Sequence, residues 1–347
     1  MALPSPAERP GGRAALARFA QNKQPMRRFS SLPCAAGVLA AAIALTGCGG
    51  GSQTTPTANA QVLKRAGSWM APGLAKRDLL YLSDDGNGNV YVYSFPGAKL
   101  QGTLTGLSVP TGECADKAGD VWIVEEGTND IVEYAHGGTV PIATLSDPGN
   151  APEACAVDPT TGNLAVANPQ TLSAGVGSVG VYAHAQGTPT LYTDSQMKFV
   201  LFVTYDDRGN LYANGVDSSL GYRLAELGKN AGSLAPISFD QSISQATNIQ
   251  WDGKYLAVGD GGGIVGTGSP VVYHVKIAHS TGTVVGETPL AGTTGVFQFS
   301  IQGNTFVGPN LGNEDVMLWK YPAGGNSTKA IGGFSDPFGS AVSKGAK

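Results

Sequence analysis

The side chains of this chain that could do chemistry are acidic and amide groups placed near the starts of short β-type segments. Glu113, Glu153, Asp206 and Asn248 lie in this position, between 40 and 53 residues apart. Carboxylate and amide oxygens are the ligands that Ca²⁺ prefers in proteins. If the segments converge on one axis, these four side chains are candidates to line it and to hold a polar ligand or a cation.

Two cysteines occupy equivalent places in neighbouring segments. Cys114 and Cys155 are 41 residues apart, and each opens a segment of the same pattern. Export would favour their oxidation to a disulfide, and such a bond requires Cα atoms within about 7 Å of each other. We expect this disulfide; two buried free thiols are the alternative.

Most of the remaining polar residues have a simpler interpretation. Aspartates near a glycine favour tight turns, because their short side chains accept hydrogen bonds from the backbone two residues on; they are Asp116, Asp158, Asp207 and Asp252. His136 and His184 follow third strands and are expected to be solvated. The stretch 261–266 has the glycine spacing of the dinucleotide-binding motif. It leads into a strand, however, and not into the helix that a pyrophosphate site needs. No catalytic residue is predicted.

An internal repeat indicates the elements that position these residues. Segments of strand, turn and strand recur at 114–124, 155–166, 205–213, 249–258 and 299–307. Further strand pairs recur at 90–97, 131–139, 179–188 and 316–325. Each unit therefore predicts four short antiparallel strands. One such sheet cannot bury both faces, so neighbouring sheets must stack around an axis.

The count of units predicts an all-β, six-bladed β-propeller of four-stranded antiparallel blades. Five complete units begin near Pro110, Pro152, Phe199, Ala246 and Val296. Residues 78–104 supply three more strands, and residues 338–343 supply one. We expect the N- and C-terminal strands to close a sixth blade, which removes a free sheet edge. Residues 78–347 then give 45 residues per blade, a normal length.

These motifs resemble a known class of repeat protein. The pattern Cys-x-x-Asp at 155–158 and the pattern Glu-Tyr-x-His-Gly-Gly-Thr at 133–139 are similar to repeats of NHL-type six-bladed propellers, especially uncharacterised soil-bacterial repeat lipoproteins. The resemblance covers nearly all of 78–347. It implies the fold but no activity, because propellers host enzymes, binders and scaffolds. Lactonase-like propellers bind Ca²⁺ axially, but their ligand set does not match here position by position.

The N-terminus has the pattern of an exported lipoprotein. Arg27 and Arg28 precede an apolar run from 32 to 46, and the run ends at Leu-Thr-Gly-Cys48. A basic stretch, a short apolar run and small residues are typical of a signal peptide. The ending resembles the bacterial lipobox, which implies lipid attachment at Cys48. We therefore predict an upstream disordered extension at 1–25 and a lipoprotein signal peptide at 26–48.

A flexible tether is predicted at 49–77, followed by the propeller at 78–347. The stretch after Cys48 is rich in Gly, Ser and Thr and cannot form a core. The full chain has 22 basic and 26 acidic residues, of which 1–48 contain six and one. Residues 49–347 therefore contain 16 basic and 25 acidic residues, a net charge of −9. An acidic domain is a poor partner for nucleic acid.

The sequence favours an exported, lipid-anchored binding or interaction module over an enzyme. The anchor on Cys48 would lie in the outer membrane if the source has one, and otherwise in the cytoplasmic membrane. A protein or small-molecule ligand and a monomeric state are expected, and no cofactor is needed. Two alternatives stay open: a lactonase-like hydrolase or lyase with an axial divalent cation such as Ca²⁺, and a structural component of an envelope complex.

Overall fold

The computed structural model describes residues 67–169, 175–262 and 269–347, which fall within one unit, Val62–Lys347. The first strands in chain order are β1 Trp69–Met70, β2 Leu79–Asp84, β3 Asn89–Ser94, β4 Leu100–Thr105, β5 Pro110–Ala115, β6 Val121–Glu125, β7 Asp130–Tyr134, β8 Pro141–Ser146, β9 Ala154–Val157, β10 Leu164–Asn168, β11 Ser178–Tyr182 and β12 Thr190–Tyr192. They are followed by β13 Phe199–Tyr205, β14 Leu211–Val216, β15 Tyr222–Leu227, β16 Ala235–Phe239, β17 Ala246–Trp251, β18 Leu256–Asp260, β19 Val271–Ala278 and β20 Thr281–Ala291. The last strands are β21 Ser300–Gln302, β22 Thr305–Asn310, β23 Asp315–Lys320, β24 Gly325–Asn326, β25 Lys329–Gly332 and β26 Pro337–Ser343.

Helix is confined to single turns in the described ranges. Three 3₁₀ turns occur, at Asp85–Asn87, Ala183–Ala185 and Leu311–Asn313. None of the helices in these ranges has the length and hydropathy needed to cross a bilayer. The expected all-β propeller is therefore observed.

The strands are paired as antiparallel runs of neighbours. Three sheets are simple four-stranded runs, namely β5–β8, β9–β12 and β21-β22-β23-β25. A fourth places β26, β2, β3 and β4 side by side, with β1 on its outer edge. The fifth has nine strands, in which the runs β13–β16 and β17–β20 join through β16 and β20, and β24 pairs with β20.

The expectation of six separate sheets is corrected by this pairing. Counted as hydrogen-bonded sheets, the described residues form five. The physical reason is a parallel pairing between two outermost strands, Ser238 with Thr281 and Phe239 with Gly282. It merges two antiparallel runs that the repeat pattern treats as separate units.

The two ends of the propeller sequence close one sheet, as the repeat predicts. β26 pairs antiparallel with β2, with Leu80 opposite Val342 and Tyr81 opposite Ala341. β26 is thus the innermost strand of a sheet whose other strands come from the opposite end. This pairing removes the free edge that β2 would otherwise present.

The boundary predicted at Asp78 is corrected by the structure. Trp69 and Met70 form β1, which pairs with Thr103 and Gly102 of β4. Leu74, which the sequence places in the tether, is buried. The backbone pairing adds a fifth strand to the first sheet, so ordered structure begins before residue 78. Cys48, the predicted site of lipid attachment, and the rest of 1–66 lie outside the described residues, as does part of the stretch 261–266.

The hydrophobic cores lie between neighbouring sheets. One cluster joins Leu79 of β2 and Val92 of β3 to Ile123 of β6 and Tyr134 of β7. Others join the sheet β5–β8 to the sheet β9–β12, and β22–β23 to β2. Strands such as β6 and β10 are buried along their whole length, because each blade packs on both faces. This stacking explains their near-continuous apolar sequences.

Candidate functional site

The innermost strands surround a common axis. β5 contacts β26 on one side and β9 on the other, and β13 contacts β9 and β17. The step from β17 to β21 is bridged by Asn248, whose backbone N–H donates to the Phe297 carbonyl at 3.2 Å. β21 contacts β26, which completes the ring. The inner strands therefore form a closed ring around this axis.

A cavity of about 830 Å³ opens along this axis. Its wall contains polar residues deep in the ring and aliphatic residues such as Val203, Ile249 and Ile301. Lys117, Asp158 and other turn residues line the same cavity where the inner strands end. The volume is in the range of sites that hold small organic ligands.

Glu113 is the most unusual group in this wall. Its side chain is 2 % exposed, and neither carboxylate oxygen has a hydrogen-bond partner. Burial raises the pKa of Glu113 well above its ordinary value. A buried charge without a partner destabilises a fold, so burial favours the neutral form of this carboxyl group.

Neighbouring residues leave space for this carboxyl group and fix its backbone. The Glu113 N–H donates to Gln298 Oε1 at 2.9 Å, and Gln298 Nε2 donates to the Glu113 carbonyl at 3.1 Å. A Cβ on Gly339 would lie 2.8 Å from Glu113 Oε2 and 2.4 Å from the Thr111 carbonyl. Glycine at 339 is thus required by the close approach of β5. The roles of Gln298 and Gly339 cannot be read from the sequence, because they depend on neighbours from distant parts of the chain.

The four predicted axial residues separate into two pairs. Glu113 and Asn248 line the cavity. Asn248 Nδ2 donates to the Phe299 carbonyl at 2.7 Å, which leaves its Oδ1 to accept a bond from a ligand. Glu153 is buried, and its backbone carbonyl accepts the N–H of Gly112, but it does not line the cavity.

The expectation that Asp206 faces the axis is corrected. Asp206 Oδ1 accepts the backbone N–H groups of Arg208 and Asn210, both at 2.9 Å. Its Oδ2 accepts Asn210 Nδ2 at 2.8 Å. The residue is therefore the turn former of its repeat, a role that the sequence analysis gave to Asp207. Asp207 instead accepts a bond from Trp251 Nε1 at 2.9 Å and lines the cavity.

The other three predicted turn aspartates do act in turns. Asp116 Oδ1 accepts the Asp120 N–H, and Asp252 Oδ1 accepts the Lys254 N–H at 2.8 Å. Asp158 Oδ1 accepts the Thr160 N–H at 2.7 Å. Burial raises the pKa of Asp158, but hydrogen bonds from Thr161 and Thr160 outweigh it and the pKa is lowered. These carboxylates are satisfied by their own turns.

Aromatic rings lie one step along the inner strands from the polar wall. Phe297 precedes Gln298, and Phe338 precedes Gly339; their ring centroids are 5.1 Å apart. Phe202 of β13 lies 6.2 Å from Phe297, which precedes β21, although β17 lies between β13 and β21 around the ring. Rings from parts of the ring that are not neighbours therefore meet in this cluster.

The predicted disulfide between Cys114 and Cys155 is present. It joins β5 to β9, with the Cα atoms 5.6 Å apart, and both residues line the cavity. Cys114 directly follows Glu113, so the bond ties the strand that carries the buried carboxyl to its neighbour. Equivalent positions on adjacent inner strands bring the two sulfurs together.

Three carboxyl groups form a second cluster near the end of β5. Oxygens of Asp116, Asp120 and Glu133 lie within 4.8 Å of one another, all partly buried. Burial raises the pKa of Glu133 to about 7, helped by the charges of Asp120 and Asp116. β13–β15 repeat this arrangement with Asp206 and Asn210 at corresponding places. The cluster is therefore consistent with turn geometry, because Asp116 and Asp120 both accept backbone bonds.

His136 is partly buried and makes contacts with the protein, contrary to the expectation of a solvated side chain. His136 Nδ1 lies 2.5 Å from Ser343 Oγ, and Nε2 lies 3.2 Å from the Leu74 carbonyl. It therefore links the second sheet to the closing strand. His274 is buried, and its Nε2 lies 2.8 Å from Thr288 Oγ1. Burial lowers the pKa of His274. His184 is exposed, as predicted.

Comparison with known proteins identifies the fold. No family model matches the sequence, and no curated protein matches it. The structure is similar to a chain of a nidogen/laminin complex, with a TM-score of 0.63 and 13 % identity over 78 % of this chain and 100 % of that one. A streptogramin B lyase (TM-score 0.45, 13 % identity, 73 % of this chain and 72 % of that one) also matches. Virginiamycin B lyase from Staphylococcus aureus matches as well, with a TM-score of 0.47 and 14 % identity over 66 % of this chain and 76 % of that one. The first likeness supports the propeller fold alone.

Proposed function

We propose that this protein is a binding module that holds a small ligand in the axial cavity of its propeller. The observation that carries the proposal is a ligand-sized cavity whose wall contains the buried carboxyl group of Glu113 without a partner. Native proteins rarely leave such a group unsatisfied without a functional reason. A ligand that donates hydrogen bonds would satisfy it.

Binding is favoured over catalysis by the chemistry of the wall. No histidine is found among the described residues that line the cavity, and its two cysteines are joined in a disulfide. The Ser340 hydroxyl donates to the Gln298 carbonyl at 3.2 Å and contacts Ser300 Oγ. A nucleophile needs an adjacent base to activate it, and these hydroxyls have none beside them.

The proposal is tested by blocking the cavity. Ala156 lies on β9 and lines the cavity, whereas Ala330 is exposed on β25. Saturation-transfer NMR with a library of polar fragments should detect binders to the wild type and to Ala330→Trp. The same fragments should lose their signal with Ala156→Trp, because the indole fills the cavity. If the two variants bind alike, the ligand site is elsewhere.

The lactonase-like alternative would need an axial divalent cation, and the wall fits one poorly. The lining carboxylates of Asp116, Asp158 and Asp207 are engaged by backbone N–H groups or by Trp251. Away from them, Glu113 supplies one carboxyl group and Asn248 one amide oxygen, whereas Ca²⁺ takes six to eight oxygen ligands. A single negative charge also leaves a buried divalent ion half neutralised. We propose that the module works without a metal. Calorimetric titration with CaCl₂ tests this, and tight binding that Glu113→Gln abolishes would restore the alternative.

The cellular setting follows from the sequence. We propose that the propeller is exported and anchored to the cell envelope through lipid on Cys48, and that it acts as a monomer. The variant Cys48→Ala should move to the soluble fraction and lose the mass of the lipid. Retention in the membrane fraction at unchanged mass would contradict the anchor. A role in a larger envelope complex would instead give a stoichiometric partner in pull-downs from solubilised membranes.

We also propose that the ring be counted as six repeats. Each of the strands β26, β5, β9, β13, β17 and β21 begins an antiparallel run of four, and the nine-stranded sheet holds two of these runs. An experimental density map would test the count through the number of strands around the axis.

A further inference from the structure

We propose that the axial cavity is selective for a primary ammonium ion on an apolar body, and that Glu113 is its anionic partner. This inference rests on the proposed binding function and names its ligand class. It begins from Glu113, which lines the cavity and whose two buried carboxylate oxygens have no hydrogen-bond donor. Thr111, two residues earlier on β5, also has a buried hydroxyl oxygen without a partner.

The carboxylate oxygens of Glu113 are satisfied by a hydrogen-bond donor and not by another acceptor. An ammonium group has three N–H donors and no acceptor. The two carboxylate oxygens of Glu113 are acceptors without a hydrogen-bond partner. Asn248 lines the same cavity and, because its Nδ2 donates to the Phe299 carbonyl, offers Oδ1 as a further acceptor. The side-chain groups of Gln298 are both engaged with the Glu113 backbone, so they do not satisfy the carboxyl group.

Charge favours a single positive charge on the ligand. Glu113 is the fully buried acid of the wall, whereas Asp116, Asp158 and Asp207 lie at turns where the cavity opens. One carboxylate and one ammonium form a neutral pair, which a low-dielectric site tolerates better than an excess charge. Burial of Glu113 alone raises its pKa, and a cation beside it would offset that effect.

The remainder of the wall selects the body of the ligand. Val203, Ile249, Ile301 and Val342 line the cavity with aliphatic surface. A ligand that placed only polar groups against them would lose hydration without compensation. An amine attached to a ring or a short hydrocarbon matches both parts of the wall. Benzylamine combines these features and serves as the probe.

The test is a calorimetric titration that compares benzylamine with benzyl alcohol, its neutral counterpart. We expect benzylamine to bind the wild type with 1:1 stoichiometry, at least tenfold more tightly than benzyl alcohol, because a buried charge-assisted hydrogen bond contributes strongly. Glu113→Gln should remove this preference. Glu133→Gln makes the same chemical change in the same sheet outside the cavity and should keep it.

The outcomes separate this inference from the proposed function. Equal affinity for the two probes in the wild type overturns the ammonium inference, and fragments blocked by Ala156→Trp would still support a binding cavity. Absence of any cavity-dependent binder overturns both. If CaCl₂ displaces benzylamine at a concentration below that of the amine, the ammonium inference is overturned in favour of a metal site. The wild-type comparison requires no variant, so a folding defect in Glu113→Gln does not decide the result.

Discussion

At the scale of single residues, Glu113 differs from the other acids because its own repeat does not satisfy it. Asp158, Asp206 and Asp252 each accept backbone N–H bonds within a turn. Glu113 lies on a strand whose backbone bonds go to neighbours, and its two buried carboxylate oxygens have no hydrogen-bond partner. Its burial therefore destabilises the free protein in a way that depends on pH.

Replacement of this acid should change the pH dependence of stability. The pKa of Glu113 is raised on folding, so the folded protein binds more protons than the unfolded chain once the pH exceeds about 4.5. The wild type then loses about 1.4 kcal/mol of unfolding free energy per pH unit until the folded pKa is reached. Glu113→Gln lacks this loss. Urea unfolding at pH 4, 6 and 8 should show its advantage growing with pH.

The control for that series is Glu133→Gln. The pKa of Glu133 rises only to about 7, so any gain from its replacement should stop growing near that pH. An advantage of Glu113→Gln that stays constant from pH 4 to 8 would show that Glu113 is not buried in its acid form.

At the scale of elements, the inner strands are tied by bonds that differ from one pair to the next. β5 and β9 share a disulfide, and the end of β26 is held by the contacts of Ser343. Ser343 Oγ donates to the Gly119 carbonyl and lies beside His136 Nδ1. These links lie where strands from different repeats must be kept in register.

Loss of the disulfide should lower stability without changing the fold. The bond closes a loop of 41 residues, for which loop entropy gives up to about 4 kcal/mol. The double variant Cys114→Ser and Cys155→Ser should therefore unfold at a lower urea concentration with an unchanged far-UV circular dichroism spectrum. Dithiothreitol should lower the midpoint of the wild type but not of the variant, and an equal response of the two would contradict the assignment.

The His136–Ser343 contact should show measurable coupling. A double-mutant cycle of His136→Ala and Ser343→Ala is expected to give an interaction free energy of about 1 kcal/mol, typical of a partly buried hydrogen bond. His184→Ala is the matched control, because that ring is exposed and makes no contact with Ser343. Additive effects of the first pair would mean that the contact does not stabilise closure.

At the scale of the whole molecule, the sequence repeat predicts the architecture because each repeat is recognised from residues that are close together in the chain. The strand–turn–strand segments, the closing strand at 338–343 and the Cys114–Cys155 pair all follow from matching positions between repeats. The pairing of β16 with β20, the strand at Trp69–Met70 and the role of Gly339 join residues that have no common pattern. The axial role of Asp206 was wrong because adjacent aspartates, Asp206 and Asp207, compete for the turn.

Closure by β26 should be essential to the folded ring. Removal of residues 337–347 exposes the inner edge of β2 and the core residues Leu80 and Leu82. We expect the truncated protein to lose cooperative thermal unfolding and to bind a hydrophobic dye. Removal of residues 67–70 takes away only the two-residue outer strand and should lower the midpoint slightly. A truncation at 337 that unfolds like the wild type would contradict the closed ring.

The most direct test of the axial site is a crystal of the propeller soaked with benzylamine. We expect electron density for the probe in the axial cavity, with its nitrogen within hydrogen-bond distance of a Glu113 carboxylate oxygen and its ring against Val203 and Ile249. Density for the probe only at the outer surface, with ordered water against Glu113, would contradict the proposal that this cavity is the binding site.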